Sequence, residues 1–320
     1  MSSGPTRSEA LKGYGRDAGA VAERDSPAVS GPAVDTAAPK YPGRIDWAPL
    51  IILGVLAAFL YRHIAVKLVT DWRDLPDFSH GFLIPFFAAF LLWDKREKLR
   101  SLPIQPSWTG LVLVVPALFE LLLGVLGADL FLQRTSFVLL VAGIVWMLLG
   151  SVFLRELKFV LLILLLAIPL PTILYNRITF PLQLRASELA SGLLQIVGVP
   201  VLRDGNVIQL PAMPLEVAEA CSGIRSLMSL FTVAVIYGYF LERKNWRRTL
   251  LALSAIPIAV AANVARIFGT GLCVQYWDPT KALGFFHEFQ GWLMFLVSLV
   301  CLYFVHILMR VALPERKGAA

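Results

Sequence analysis

Three side chains able to take part in acyl transfer lie in the second half of the chain. They are Cys221 in Glu219-Ala220-Cys221-Ser222-Gly223-Ile224-Arg225, Arg266 in Asn263-Val264-Ala265-Arg266, and His287 in His287-Glu288-Phe289-Gln290-Gly291-Trp292. A thiolate is the reactive form of cysteine, while a fixed cation stabilises an oxyanion and an imidazole moves the proton. Cys221 stands at the mouth of an apolar segment that continues through Phe240. At the first turn of a helix a thiol feels the positive end of the macrodipole, and Arg225 follows four residues later on the same face; both favour thiolate. Asn263, three residues before Arg266, is placed to hold the guanidinium by a hydrogen bond, and Glu288 adjoins His287 and could orient it, although neighbouring side chains on a helix point apart. Each residue also has a plain packing role: a small residue between helices for Cys221, a snorkelling cation for Arg266, an interfacial ring for His287.

The elements that must position them are membrane spans. With 57% hydrophobic residues, 16% charged residues and a mean hydropathy of +0.70, the chain cannot build a soluble globule with a polar coat. Apolar runs near the roughly 17–25 residues needed to span occur at Trp47–Ile64, Gly81–Trp93 with its flanks, Trp108–Leu126, Leu130–Phe153, Phe159–Tyr175, Gly223–Phe240, Thr249–Val274 and Phe289–Met309. The expected fold is an all-α polytopic membrane protein of about eight transmembrane helices. Residues 1–45 are rich in Ala, Gly, Pro and Ser, have no apolar stretch, and read as a disordered cytoplasmic tail before a catalytic domain over 46–312 and a short tail at 313–320. No secretory signal precedes the first span, so targeting falls to the spans themselves.

The formal charge of +7 encodes orientation rather than nucleic-acid binding. Basic residues concentrate in alternate connections: Lys95, Arg96, Lys98 and Arg100, then Arg155 and Lys158, then Arg243, Lys244, Arg247 and Arg248, then Arg310, Arg316 and Lys317, together with the tail. The positive-inside rule puts these in the cytoplasm with both termini. Cys221, Arg266 and His287 then share the outer face of a cytoplasmic membrane. Ionisable groups at or within spans are costly and tend to mark function.

Residues 176–220 form the longest outer connection. Leu182, Ala186, Leu189, Leu193 and Val197 recur at helical spacing against Arg185, Glu188 and Gln195, which predicts an amphipathic helix in the interface. Val199–Leu202 and Val207–Leu210 flank Asp204-Gly205, predicting a short β-hairpin whose edge could accept an extended peptide. The three cysteines make no disulfide framework, no metal-ligand spacing is present and no nucleotide-binding loop appears, so no metal or cofactor is expected. His80, at the outer mouth of the second span, either touches the site or caps a helix.

The three motifs, in this order and spacing, resemble the exosortase side of the exosortase/archaeosortase family. Phe78-Ser79-His80-Gly81 and Ile168-Pro169-Leu170-Pro171 add to the resemblance, which covers residues 46–310 or so. The resemblance implies a membrane-embedded cysteine transpeptidase acting on proteins with a C-terminal sorting signal: a short motif, typically Pro-Glu-Pro, then a transmembrane helix and a basic end. It assigns Cys221 as nucleophile, Arg266 as proposed proton donor and His287 as third member. A guanidinium stays protonated at any working pH, so Arg266 suits an oxyanion or thiolate partner better than a proton donor. Two other classes fit the composition: a component of a polysaccharide-export transporter, and a non-catalytic scaffold in an envelope assembly. A transporter would show related halves, and no internal repeat is evident.

Overall fold

The computed structural model describes residues 47–217, 224–277 and 285–313, with side chains over 48–217, 224–277 and 289–313. All of them fall in one compact unit, Tyr41–Ala320. Residues 1–45 and 314–320 of the two expected tails lie outside the described residues.

Ten helices are described: α1 Trp47–Asp74, α2 Leu83–Asp94, α3 Arg96–Ser101, α4 Leu111–Leu126, α5 Leu130–Leu149, α6 Ser151–Leu165, α7 Thr172–Ile196, α8 Ile224–Leu241, α9 Asn245–Tyr276 and α10 Phe285–Ala312. Six stretches among them are long and apolar enough to cross a membrane: Ala48–Asp74, Trp108–Leu126, Leu130–Leu149, Ile224–Leu241, Asn245–Tyr276 and Phe289–Ala312. The chain is a mostly helical, multi-pass membrane protein. Its helices follow from the solvent, because hydrocarbon offers no partner for backbone N–H and C=O, and a helix satisfies them within one segment. The outward surface is accordingly apolar, with Ile52, Phe86, Val112, Ile173 and Leu308 all exposed.

Two expected spans differ. The second is the 12-residue α2, about 18 Å long at 1.5 Å per residue, entered through a 3-10 turn at Pro76–Phe82. The fifth is divided. Helix α6 ends at Leu165, and α7 begins at Thr172 after Pro171, whose extended backbone (φ −56°, ψ 138°) ends the run. Pro169 and Pro171 supply no N–H and bias the residues before them away from helix.

The expected amphipathic helix exists within α7, with Arg185, Glu188 and Gln195 exposed, but the side packed into the protein is a row of small and polar residues that the pattern did not single out. Thr179, Gln183, Ser187 and Ser191 are buried with Ala186 and Ala190, whereas Leu189 and Leu193 are exposed. In a lipid setting apolar exposure costs little, and small polar residues pack closely and hydrogen-bond inward. Ser187 shows this by donating to the Gly205 carbonyl at 2.9 Å.

The hairpin is present and extended by a third strand. β1 Leu202–Asp204, β2 Val207–Gln209 and β3 Pro214–Glu216 form an antiparallel sheet in that order. Asp204 pairs with Val207, so the two-residue loop is Gly205-Asn206, one position later than predicted, with Gly205 at φ 61°. β3 takes one edge of β2, which leaves the outer edge of the fully exposed β1 open. Ile208, Leu215 and Val217 anchor the sheet in a core shared with Ala190 and Leu194 of α7 and Ile267 of α9.

Helices α4 and α5 pack closely through Gly143, where an added Cβ would come within 2.8 Å of the Val114 backbone. Alongside them, Arg134 of α5 pairs with Asp71 of α1, which also holds Lys67 at 2.9 Å. Helices α8, α9 and α10 form the other half of the bundle around Leu230, Ala234, Leu251, Ala255 and Leu302.

Candidate active site

Helix α9 carries Arg266 towards α10. The Thr270 hydroxyl, one turn further, lies 2.9 Å from the Arg266 carbonyl and 2.9 Å from Gln290 Oε1 on α10, fixing the register of the two helices. The guanidinium of Arg266 rests along Gly291: a carbon added at that glycine would sit 3.6 Å from Cζ and Nη2 and 3.7 Å from Nη1. Gly291 is four residues after His287, so the two positions share a helix face about 6 Å apart along the axis. The backbone of His287 belongs to α10. The side chains of His287 and Glu288 lie outside the described residues, and so does Cys221 with the rest of 218–223.

The connection at 242–244 makes α8 and α9 an antiparallel pair. Counting the rise from that turn brings the start of α8, at Ile224, level with about residue 262 of α9. Arg225 and Asn263 thus stand at one height in the bundle. Asn263 is buried, and its Oδ1 has no hydrogen-bond partner among the described residues. It therefore does not hold Arg266 as the sequence suggested, and a buried acceptor is left open one turn from the guanidinium.

Arg225 has a different companion from the one expected. Its Nε donates to Asp77 Oδ1 at 3.2 Å, and the Tyr175 hydroxyl donates to Asp77 Oδ2. Asp77 comes from the 3-10 turn before α2 and Tyr175 from the first turn of α7, so three distant segments meet at one carboxylate. Part of the positive field that Arg225 would offer a neighbouring thiol is thereby neutralised. A cavity of about 420 Å³ opens here, lined by Asp77, Phe78, Pro169, Thr172, Tyr175 and Arg225. Asp77 and Tyr175 were not singled out from sequence; an acid beside Phe78-Ser79-His80-Gly81 was the available signal.

His80 is buried in the same turn and lies 3.2 Å, through Nε2, from the Leu166 carbonyl. Burial holds its imidazole below the ordinary value of 6.5. Beside it the Trp72 indole donates to the Ala167 carbonyl at 2.7 Å, and Gly81 lets that indole in: a Cβ there would lie 2.3 Å from Trp72 Nε1. His80 and Trp72 thus cap the end of α6 and place the Pro169-Pro171 segment that walls the cavity.

Of the remaining thiols, Cys273 is half-buried against the core of α7 and the sheet, and Cys301 is exposed on the bundle surface. Among the described residues no group of His, Cys, Asp and Glu is arranged to hold a metal ion.

A family model described as the transmembrane exosortase matches residues 72–304, nearly three quarters of the chain. The chain belongs to the transmembrane exosortase family. No curated protein and no solved structure matches it. The match takes in all the contacts just described, from Trp72 through the α9 and α10 motifs. In this exosortase, Arg266 is brought to the α10 motif and Arg225 to Asp77, while the sulfur's separation from either cation lies outside the described residues.

Proposed function

We propose that the protein is a membrane-embedded cysteine transpeptidase that cleaves exported proteins at a C-terminal sorting signal and transfers them to an acceptor. The observation that carries this reading is the seating of Arg266 on Gly291, one turn from His287. A cation inside a span is costly without a purpose, and this one lies against the helix that carries the motif histidine.

In the proposed reaction the Cys221 thiolate attacks the scissile carbonyl and the resulting oxyanion is held by Arg266. His287 in its protonated form gives its proton to the departing amine as the C–N bond breaks, leaving an acyl-thioester. An acceptor nucleophile then loses a proton to His287, attacks the thioester carbonyl and releases the thiolate. Asn263 Oδ1 accepts from a substrate N–H. The motif lies in the cavity beside Arg225, where the Nη groups not used by Asp77 meet an acidic side chain and Phe78 and Tyr175 offer rings for proline to pack on. The active site faces away from the cytoplasm, as the distribution of basic residues suggests.

The test is to trap the thioester. A co-expressed substrate bearing a short motif, a transmembrane helix and a basic end should accumulate as a hydroxylamine-sensitive adduct on Cys221, and Cys221→Ala should lack it. Normal maturation by Cys221→Ala at wild-type abundance would sink the reading in favour of transport or scaffolding.

A further inference from the structure

At the end of the bundle opposite the motifs, α6, α8 and α9 enclose a second cavity of about 580 Å³. Tyr239, near its mouth, is 14 residues along α8 from Arg225, roughly 21 Å away by helical rise. The proposed acyl transfer does not involve it. Its wall is apolar, built from Phe159 and Leu162 of α6, Phe231 and Val235 of α8, and Ala252 and Leu253 of α9. Leu162 and Leu253 are about half exposed, so the cavity opens sideways to whatever surrounds the bundle, which is lipid.

The mouth is cationic. Arg248 is pinned by two backbone carbonyls that end α8, donating from Nε to Glu242 at 2.7 Å and from Nη2 to Tyr239 at 3.1 Å, with its guanidinium 4.9 Å above the Tyr239 ring. Tyr239 is itself stacked on Phe159, ring centres 3.7 Å apart, so the cation stands on a rigid base. Neither carbonyl cancels a full charge. The nearby acids are engaged elsewhere: the Glu242 carboxylate holds Arg247 at 3.4 Å and His306 at 2.9 Å, and Glu156 is shared by Lys98 at 2.7 Å and Lys95 at 3.7 Å. Lys158, on the other side of the mouth, is exposed and has no acidic partner among the described residues.

We propose that this cavity binds an anionic phospholipid, its phosphate between Lys158 and Arg248 and an acyl chain along Phe159, Leu162 and Leu253. Charge complementarity at the mouth selects the anion, and the apolar, laterally open wall selects a ligand with a hydrocarbon tail over a soluble phosphate. Asn245 and Thr249, on the first turns of α9, supply polar groups at headgroup height.

The purified full-length protein in a neutral detergent, offered equal amounts of phosphatidylglycerol and phosphatidylcholine, can be examined by native mass spectrometry. The wild type should retain one phosphatidylglycerol about tenfold more tightly than phosphatidylcholine. Lys158→Gln, a change at an exposed side chain, should weaken that binding about fivefold, whereas Arg155→Gln, one turn away and outside the cavity, should leave it unchanged. Glycerol 3-phosphate at the same concentration should not displace the lipid. Equal retention of the two lipids overturns the proposal. So does equal weakening by Lys158→Gln and Arg155→Gln, which would mean diffuse surface attraction, or displacement by glycerol 3-phosphate, which would mean a phosphate site.

Discussion

Gly291 governs how closely Arg266 approaches α10, and its substitutions separate position from presence. A methyl group at 3.6 Å from the guanidinium is an ordinary contact, so Gly291→Ala should keep most of the activity. Gly291→Leu carries three further carbons beyond a Cβ that is already in contact with the guanidinium. It should lower processing of a sorting-signal substrate about a hundredfold at normal protein abundance, the scale expected when a catalytic group is displaced by about an ångström. Arg266→Lys should fail as well, since a point charge cannot reproduce the planar fork. Cys221→Ala, Arg266→Ala and His287→Ala should each abolish processing, whereas Cys273→Ala and Cys301→Ala remove packed or bundle-surface thiols and should preserve it, as read by blotting precursor and product. At this scale the sequence was informative: Arg266 and the α10 motif were picked out by type and spacing, and they meet. Asp77 was not, because its partners Tyr175 and Arg225 are 98 and 148 residues away and nothing local announces such a contact.

Among the elements, the 3-10 turn at Pro76–Phe82 does most to shape the cavity, presenting Asp77 outward while His80 and Gly81 lock it to α6 and α1. The imidazole is held below its ordinary value of 6.5 by burial, so the folded protein favours the neutral ring. The unfolded chain then binds more protons as pH falls through 6.5, and the stability gained from a neutral His80 is complete above that pH and declines below it. Thermal unfolding in detergent should show a lower midpoint at pH 5 than at pH 7, with the drop reduced in His80→Gln. Gly81→Ala should destabilise at both pH values by displacing the Trp72 indole from the Ala167 carbonyl. Propensity and periodicity foretold the hairpin of β1 and β2 and a helix within α7, but not the third strand. They missed the row Thr179, Gln183, Ser187 and Ser191 that α7 buries, since an amphipathic pattern sorts residues by polarity and does not mark small polar side chains as packing residues.

For the whole molecule, helical membrane architecture was legible from composition, but the number of full-length spans was not. Apolar runs at Gly81–Trp93 and Phe159–Tyr175 read as unbroken spans, whereas the structure makes the first a short helix entered through a 3-10 turn and divides the second at its prolines. The orientation drawn from basic residues has a direct check. A cysteine placed at the exposed Ser101 should be blocked only by a reagent that crosses the membrane, while one at the exposed Asp204 should react with an impermeant maleimide. Labelling of both from one side would remove the common face on which Cys221, Arg266 and His287 are proposed to act.

The Asp71–Arg134 pair also bears on the order in which the protein is made. The partners are separated by 63 residues, so at about 5–20 residues per second the arginine leaves the ribosome roughly 3–13 s after the aspartate. During that interval a lone carboxylate in α1 would oppose insertion, yet Lys67 lies one turn away on the same helix and in the finished structure contacts Asp71 at 2.9 Å. An i,i+4 partner of this kind needs no other helix, so α1 is expected to enter the bilayer with Asp71 already neutralised by Lys67. Lys67→Leu should leave the finished fold intact but lower the yield of inserted protein during synthesis, a defect visible in pulse labelling and absent from the melting curve of what survives.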